Sequence, residues 1–430
     1  MIKYYNIGKN ILYPICRSLT GKGVVKTLKT IQNEFPSLKI KKIKSGTKVF
    51  DWRIPSEWNV TDAYVLDKNG LKVIDFKKNN LHLMGYSIPI NKSIKKKDLL
   101  KKLIYLENQP TAIPYITSYY SKNWSFCVCF DQYKKIKDTY LDSDRFKVVI
   151  KSNLNTKGNL TYGELILNGK SKQELLISTY ICHPSMANNE LSGPIVSMGL
   201  INYFSKIKKL KKTLRFVFIP ETIGSIAYLS KHLKFLKENV VAGYNLSCIG
   251  DERQHSCMFS KNKNSPSDKA IIQAYKKLGI KDYKIYSFLE RGSDERQYNS
   301  AGVDLPISSI FRTKYGKYPE YHTSLDNFNL VTLKGTTGGF KVAKEAINII
   351  LNNIYPKSKV LCEPQMGKRG LTNNLSTKQG RSQNYKNIQN FLQYADGKNC
   401  LTMISKLIKV DLKSTKRVFK QLLKHDLITY

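Results

Sequence analysis

Between Glu164 and about Ile354 short apolar runs alternate with longer amphipathic stretches, and this rhythm restricts the fold more than any other feature of the chain. Residues 175–182, 214–219, 240–249 and 305–310 have the length and apolar density of buried strands. Residues 193–207, 224–236, 267–278 and 333–354 carry helical spacing. The order predicts the α/β class, a mixed, mostly parallel sheet with helices on both faces. Open sheets of this kind gather chemistry at the carboxyl ends of their strands. The first run ends at His183-Pro184, inside ELLISTYICHPSMANNELSG, and a polar loop follows before Ser192-Gly193-Pro194 restart the chain as a helix.

The flanking sequence has a different texture. Residues 11–34 read as two helices parted by Thr20-Gly21-Lys22-Gly23, and 38–43 alternate like a strand. Over 49–155 short strand-like runs dominate, at 63–66, 72–76, 124–130 and 145–150, with one helical piece near 96–106. The expected organisation is an α/β domain made of 1–48 and 156–355, with a small β-rich domain, 49–155, inserted into it. A linker, 356–385, is rich in Pro, Gly and Asn. The remainder, 386–430, reads as helices at 388–394, 401–407 and 413–425 with a terminal strand, the pattern of a winged helix.

Hydrophobic residues make up 41% of the 430, enough for real cores. No apolar run reaches the roughly 18 residues of a membrane helix, and the first residues lack a signal-peptide pattern, so a cytoplasmic protein is expected. The formal charge of +40 invites a nucleic-acid reading. It is nearly all Lys, with only about one Arg in six, and it is spread along the chain. Phosphate and base readout lean on Arg, so a solvated basic surface is the stronger expectation. The eight cysteines contain no CxxC pair, and a disulfide framework is not implied. Cys127 and Cys129, two apart in an apolar run, are expected on one face of a strand.

Several side chains have the chemistry for a site. His183, at a strand end, is placed as a zinc ligand is placed, and Asn188, Asn189 or Glu190 on the following loop could complete such a site. The same loop residues could cap the next helix, with Ser192 the more obvious cap. Glu221 ends the next apolar run, FVFIPETIGS, where burial would raise a carboxyl pKa and suit it to act as a general base. Asp294, Glu295 and Arg296 in RGSDERQY could serve a metal or a substrate, or form a surface ion-pair loop. His322 lies in the polar turn PEYHTSLDN.

LYPICRSLTGKGVVKTL, SGTKVFDW, CHPSMANNELSGP, RGSDERQY and YPEYHTSLDN together resemble the aminopeptidase-like proteins of bacterial polysaccharide-biosynthesis loci. The resemblance covers nearly the whole chain. It implies a zinc-exopeptidase-like α/β domain similar to M28 zinc aminopeptidases, an inserted small domain and a C-terminal winged helix. It implies a metal-dependent hydrolase acting on an amide or peptide-like bond, in surface polysaccharide biosynthesis. His183 and His322 match the first and last metal histidines of that pattern, and Glu221 the catalytic base. Asn189 stands where a bridging Asp is expected, Thr222 where a second Glu is, and Ser247 near the place of a ligand Asp. One zinc is therefore expected rather than two, on His183 and His322 with a carboxylate from Glu190 or Asp294. Asn189, Glu295 and Arg296 are expected to meet the substrate, a small peptide, aminoacyl compound or amide-bearing sugar. The alternative is a non-catalytic binding protein on a decayed peptidase fold, with the winged helix as its partner-binding module.

Overall fold

The structure is a computed structural model and describes residues 1–371 and 382–430. The alternation read over the middle of the chain builds an eight-stranded mixed sheet. From edge to edge its strands are Lys39–Lys44, Asn159–Leu167, Lys212–Ile219, Ser171–Tyr180, Val240–Leu246, Ile307–Phe311, Ser256–Met258 and Lys284–Tyr286. The four strands from Lys212–Ile219 to Ile307–Phe311 run parallel to one another. Antiparallel pairs extend the sheet on both sides.

Burial fixes which way each strand faces. On Ser171–Tyr180, Leu175 and Ile177 enter one core with the helices Ser192–Phe204, Pro266–Lys277 and Leu333–Asn352. Leu176 enters the other, with the helix Ile223–Asn239. Each such side chain contributes about 1.5–3 kcal/mol on burial. A one-residue slip would swap both faces, so register is strongly specified.

The path of the chain positions the site. After Ser171–Tyr180 it crosses to Lys212–Ile219 on one side, then returns to Val240–Leu246 on the other. The order reverses at Ser171–Tyr180, the topological switch point at which α/β sheets open a crevice. His183 follows this strand and Glu221 follows its neighbour. The helix after His183 starts pressed against the sheet: a Cβ on Gly193 would lie 2.2 Å from Thr179 Oγ1 and 2.3 Å from the Leu246 carbonyl oxygen. Only glycine fits there.

The residues between Lys44 and Asn159 build a second sheet, antiparallel throughout, in the order Lys72–Asp75, Glu57–Leu66, Arg145–Asn155, Ile90–Lys95. Two local expectations differ. The run 124–130 pairs as a strand only at Phe126–Cys127, because Cys129 already caps the helix Phe130–Thr139. Cys127 and Cys129 therefore do not share a strand. The helix near 96–106 is short, Lys96–Leu100, and gives way to the strand Leu103–Ile104.

At the C-terminus the helices Gln383–Tyr394, Leu401–Leu407 and Leu412–Lys424 enclose a small core that includes Ile388, Phe391, Ile404 and Leu422. The strand Ile428–Thr429 pairs with Lys357–Ser358. Both ends of the stretch read as a linker thus fold with the winged-helix unit, and 372–381 lie outside the described residues. Among the described residues no helix is long and apolar enough to cross a membrane.

Candidate functional site

The loop after His183 does not cap a helix in the ordinary way. Ala187–Leu191 wind into one π-helical turn, with all five residues buried, before the α-helix begins at Ser192. The wider turn directs Asn188, Asn189 and Glu190 inward together, and π segments recur at functional sites. No side-chain cap forms at the start of Ser192–Phe204. Ser192 instead donates to the Asn188 carbonyl and accepts the Ile249 amide. The free amides of Asn188 and Asn189 are taken by Asp326 Oδ1 and Oδ2, at 2.5 and 2.9 Å. Burial pushes the Asp326 carboxyl up to about 6, against the pull of those amides.

His183 is 3% exposed. Its Nδ1 lies 2.8 Å from Glu190 Oε2, and Glu190 Oε1 accepts Arg17 Nε at 3.1 Å. The opposite nitrogen, Nε2, lies 3.6 Å from Glu221 Oε2. Burial alone would lower the His183 pKa, but Cys182 and Glu190 beside Nδ1 more than offset it and the pKa is raised. Cys182, His183 and Glu190 gather potential donor atoms within 4.8 Å of one another. Both Glu190 oxygens are already engaged, and Cys182 Sγ accepts the Glu221 amide at 3.2 Å. This trio therefore reads as the support of the Nδ1 side of His183.

Glu221 is buried enough that its carboxyl is raised, against the opposing pull of His183, Ser293 and Arg296. Thr222 follows with φ of 63°, an outlier for a β-branched residue. Its amide donates to Asp294 Oδ1 at 2.8 Å, as does Ser225 Oγ at 2.7 Å. Asp294 Oδ2 is buried and without a hydrogen-bond partner among the described residues. Burial and the nearby Glu221 lift Asp294 to about 7. Arg296 donates to Thr222 Oγ1 and to the Ser293 carbonyl. Glu295 accepts from the amides of Gly292 and Ser293, from Tyr315 and from Asn245, and so knots the loop together.

His322 reaches the same place from across the crevice. Its ring lies 5.5 Å from that of His183 and stacks on Tyr321 at 3.9 Å. It holds a left-handed backbone, φ 57°. The segment between Lys44 and Asn159 fixes it there: the Tyr115 amide donates to the His322 carbonyl at 2.8 Å, and Ile113 and Ser324 exchange hydrogen bonds next to it. The Tyr115 ring packs edge-on against His183 at 5.1 Å and His322 at 5.2 Å. Burial and His183 depress the His322 pKa to about 3, so its imidazole is neutral.

A zinc ion would find His183 Nε2, the neutral His322 ring 5.5 Å away between centroids and the uncommitted Asp294 Oδ2, with Glu221 Oε2, 3.6 Å from His183 Nε2, left free as a base. A second ion finds less. Asn189 Oδ1 accepts from Tyr180 OH, and Asp251, the acid nearest to Ser247 in sequence, is taken up by Asn188, Thr313 and Arg253. Asn189 Nδ2 is buried with no partner among the described residues.

Sequence reasoning passed over Arg17, Tyr115 and Asp326. Arg17 carried a signal: an Arg inside an apolar stretch of a Lys-rich chain is a candidate for buried, forked hydrogen bonding. Tyr115 carried none, since only the tertiary fold brings it to the histidines.

Comparisons with known proteins identify relatives of the chain and of its fold. Residues 5–353 match the family described as "Domain of unknown function (DUF4910)", and 353–430 match a winged helix-turn-helix family. A Clostridium acetobutylicum protein is 42% identical over 84% of this chain and 81% of its own. It is provisionally named a polysaccharide biosynthesis protein with an aminopeptidase-like domain. A solved structure from the same organism, provisionally named a peptidase, superposes with a TM-score of 0.79 at 38% identity, covering 99% of this chain and 96% of its own. The zinc aminopeptidase of Bacillus subtilis shares the fold at a TM-score of 0.59 and 12% identity, covering 80% of this chain and 92% of its own. The chain belongs to the DUF4910 family, on an M28 aminopeptidase-like fold, and carries a C-terminal winged helix.

Proposed function

We propose that this chain is a single-zinc hydrolase of the aminopeptidase type, acting on an amide or peptide-like bond. The observation that carries the reading is the convergence of His183 Nε2, Glu221 Oε2 and the neutral His322 ring at the switch point of the sheet. His183 and His322 would hold zinc, with Asp294 as the carboxylate whose Oδ2 is uncommitted; Glu190 is spent on Arg17 and His183. Zinc, when bound, polarises the scissile carbonyl and makes a water more acidic.

Glu221 takes the proton from the attacking water and passes it to the leaving amine, a task favoured by its raised pKa. Asn189 Nδ2, a buried donor without a partner, is suited to a substrate oxygen, and the half-buried Arg296 to a substrate carboxylate. Glu295 serves the substrate only by holding the Arg296 loop. A small peptide, aminoacyl compound or amide-bearing sugar fits this chemistry, and the relative's provisional name supports a role in polysaccharide biosynthesis. All eight cysteines are free, which suits a reducing cytoplasm.

The test is Glu221→Gln, read against a panel of aminoacyl anilides and by metal analysis. Turnover should fall by about 10²–10⁴-fold while one zinc per chain is retained. Undiminished turnover in a folded variant sinks the assignment.

One observation favours a polyanion contact in addition. On the helix Leu412–Lys424, Lys413, Lys416, Arg417, Lys420 and Lys424 are exposed at helical spacing on one face, while Thr415, Val418, Phe419 and Leu422 are buried. The helix carries no acidic residue. None of the five is in an ion pair with an acidic side chain among the described residues. If this face meets duplex phosphates, affinity for a random duplex should fall steeply with salt, and a Lys416→Glu/Lys420→Glu variant should flatten that slope. A slope equal in wild type and variant removes the contact.

A further inference from the structure

We propose that Arg17 is a positioning residue for His183, acting through Glu190. The proposal rests on His183 being the zinc-side histidine, and it concerns what aims that ring. Arg17 and Glu190 have no exposed side-chain surface. Arg17 Nε is shared between the His183 carbonyl at 3.0 Å and Glu190 Oε1 at 3.1 Å. Its Nη1 donates to the Leu12 carbonyl at 2.6 Å. One guanidinium thus ties together the segment before it, the backbone of His183, and the carboxylate that holds the His183 ring.

Stability alone does not account for this pair. A buried ion pair is often no more stabilising than apolar residues of the same volume. What the pair supplies is direction. With Oε1 held by Arg17, the carboxylate has one orientation, and Oε2 meets His183 Nδ1 at 2.8 Å. In the neutral ring that bond favours the proton on Nδ1 and leaves the Nε2 lone pair on the Glu221 side. Carboxylate partners orient metal histidines in this manner. Here the carboxylate is itself held by Nε of a guanidinium whose Nη1 is committed to the Leu12 carbonyl, a planar two-point hold that the point charge of a Lys cannot reproduce. Both partners lie beside π-helical turns: Leu12 ends Gly8–Leu12, and Glu190 sits in Ala187–Leu191. The N-terminal segment, far from the sheet in sequence, thereby becomes part of the site.

The experiment uses the full chain with ¹⁵N-labelled histidine, stripped of metal and held at a pH above the titration of the ring. His183 signals are assigned by their loss in His183→Gln, and His255 serves as an internal control. The wild type should show a single tautomer with the proton on Nδ1. Arg17→Met should give a mixture of tautomers at His183 alone and weaken zinc binding by about 10–100-fold. Arg17→Lys should recover only part of either effect. If folded Arg17→Met keeps the single tautomer and its zinc affinity within about twofold, the proposal is wrong. Should Arg17→Met fail to fold, Arg17→Lys alone decides: a second tautomer at His183 supports the proposal and a single Nδ1-protonated form overturns it. A wild type that binds no zinc, yet shows the fixed tautomer and its loss in the variant, retires the hydrolase reading and leaves the positioning role standing.

Discussion

His183 and His322 face each other ring to ring, yet they are held by opposite means. His183 is fixed through its ring: Glu190 takes Nδ1, and a strand end fixes the backbone behind it. His322 is fixed through its backbone, in a left-handed conformation whose carbonyl is held by Tyr115 from the segment between Lys44 and Asn159. Its ring nitrogens make no hydrogen bond among the described residues and rely on aromatic packing for their direction. The difference teaches that the two halves of this site have different origins. One is built by the sheet and its own loop. The other depends on the segment between Lys44 and Asn159, whose Tyr115 holds the His322 carbonyl.

Replacing each histidine in turn separates the two designs most sharply. His183→Ala and His322→Ala should both weaken zinc binding by more than about 100-fold, beyond the loss expected for an outer-shell partner. Only His183→Ala should also lower folding stability noticeably, by about 1–3 kcal/mol, since it strips Glu190 of a buried hydrogen bond. Titration calorimetry with zinc and urea denaturation read the two quantities, and equal stability losses would erase the distinction.

A smaller perturbation addresses the His322 side. Ser324 exchanges hydrogen bonds with Ile113 beside the Tyr115–His322 contact. Ser324→Ala should cost about 0.5–1.5 kcal/mol and loosen zinc several-fold, with the His183 signals unmoved. A shift at His183 would mean that the halves are coupled more tightly than their contacts suggest.

The smallest effect is expected away from both histidines and serves as a control. Glu164, held by Lys41, Tyr228 and Arg215, has a pKa depressed to about 2 although burial works the other way. A depressed carboxyl contributes stability above its unfolded value of 4.5, and that stability is lost as pH falls through the folded value. Wild-type stability should therefore drop between pH 4.5 and about 2 more than that of Glu164→Gln. Urea midpoints across that range check it, and parallel curves would show that this cluster is not an acid-sensitive support.

Much of the sheet was legible because its central strands are buried on both faces and read as apolar-rich runs; the later part of Ser171–Tyr180 and most of Lys212–Ile219 are examples. His183 and Glu221 were legible for the same reason, since each marks where such a run stops. The π turn was not. Asn188 and Asn189 looked like helix caps, and only the long-range arrival of Asp326 makes them part of a wider turn. Glu190 looked like a free carboxylate, because nothing local in sequence announces that Arg17 occupies it. The short pairing at Phe126–Cys127 was hidden by an apolar run whose later residues start a helix instead. Local pattern reveals burial, and pairings of buried polar groups across long sequence separation remain out of its reach.

The register of one strand pair has a consequence for how this architecture can vary. Lys44 and Asn159 are direct partners on adjacent antiparallel strands. The whole intervening segment thus leaves the sheet and re-enters it across a gap that a tight hairpin could bridge. Yet the segment is not a loose appendage: Val65, Phe126 and Val148 share one core with Leu176, Val217 and Tyr228 of the main sheet, so shortening it to a hairpin would strip that face of its cover.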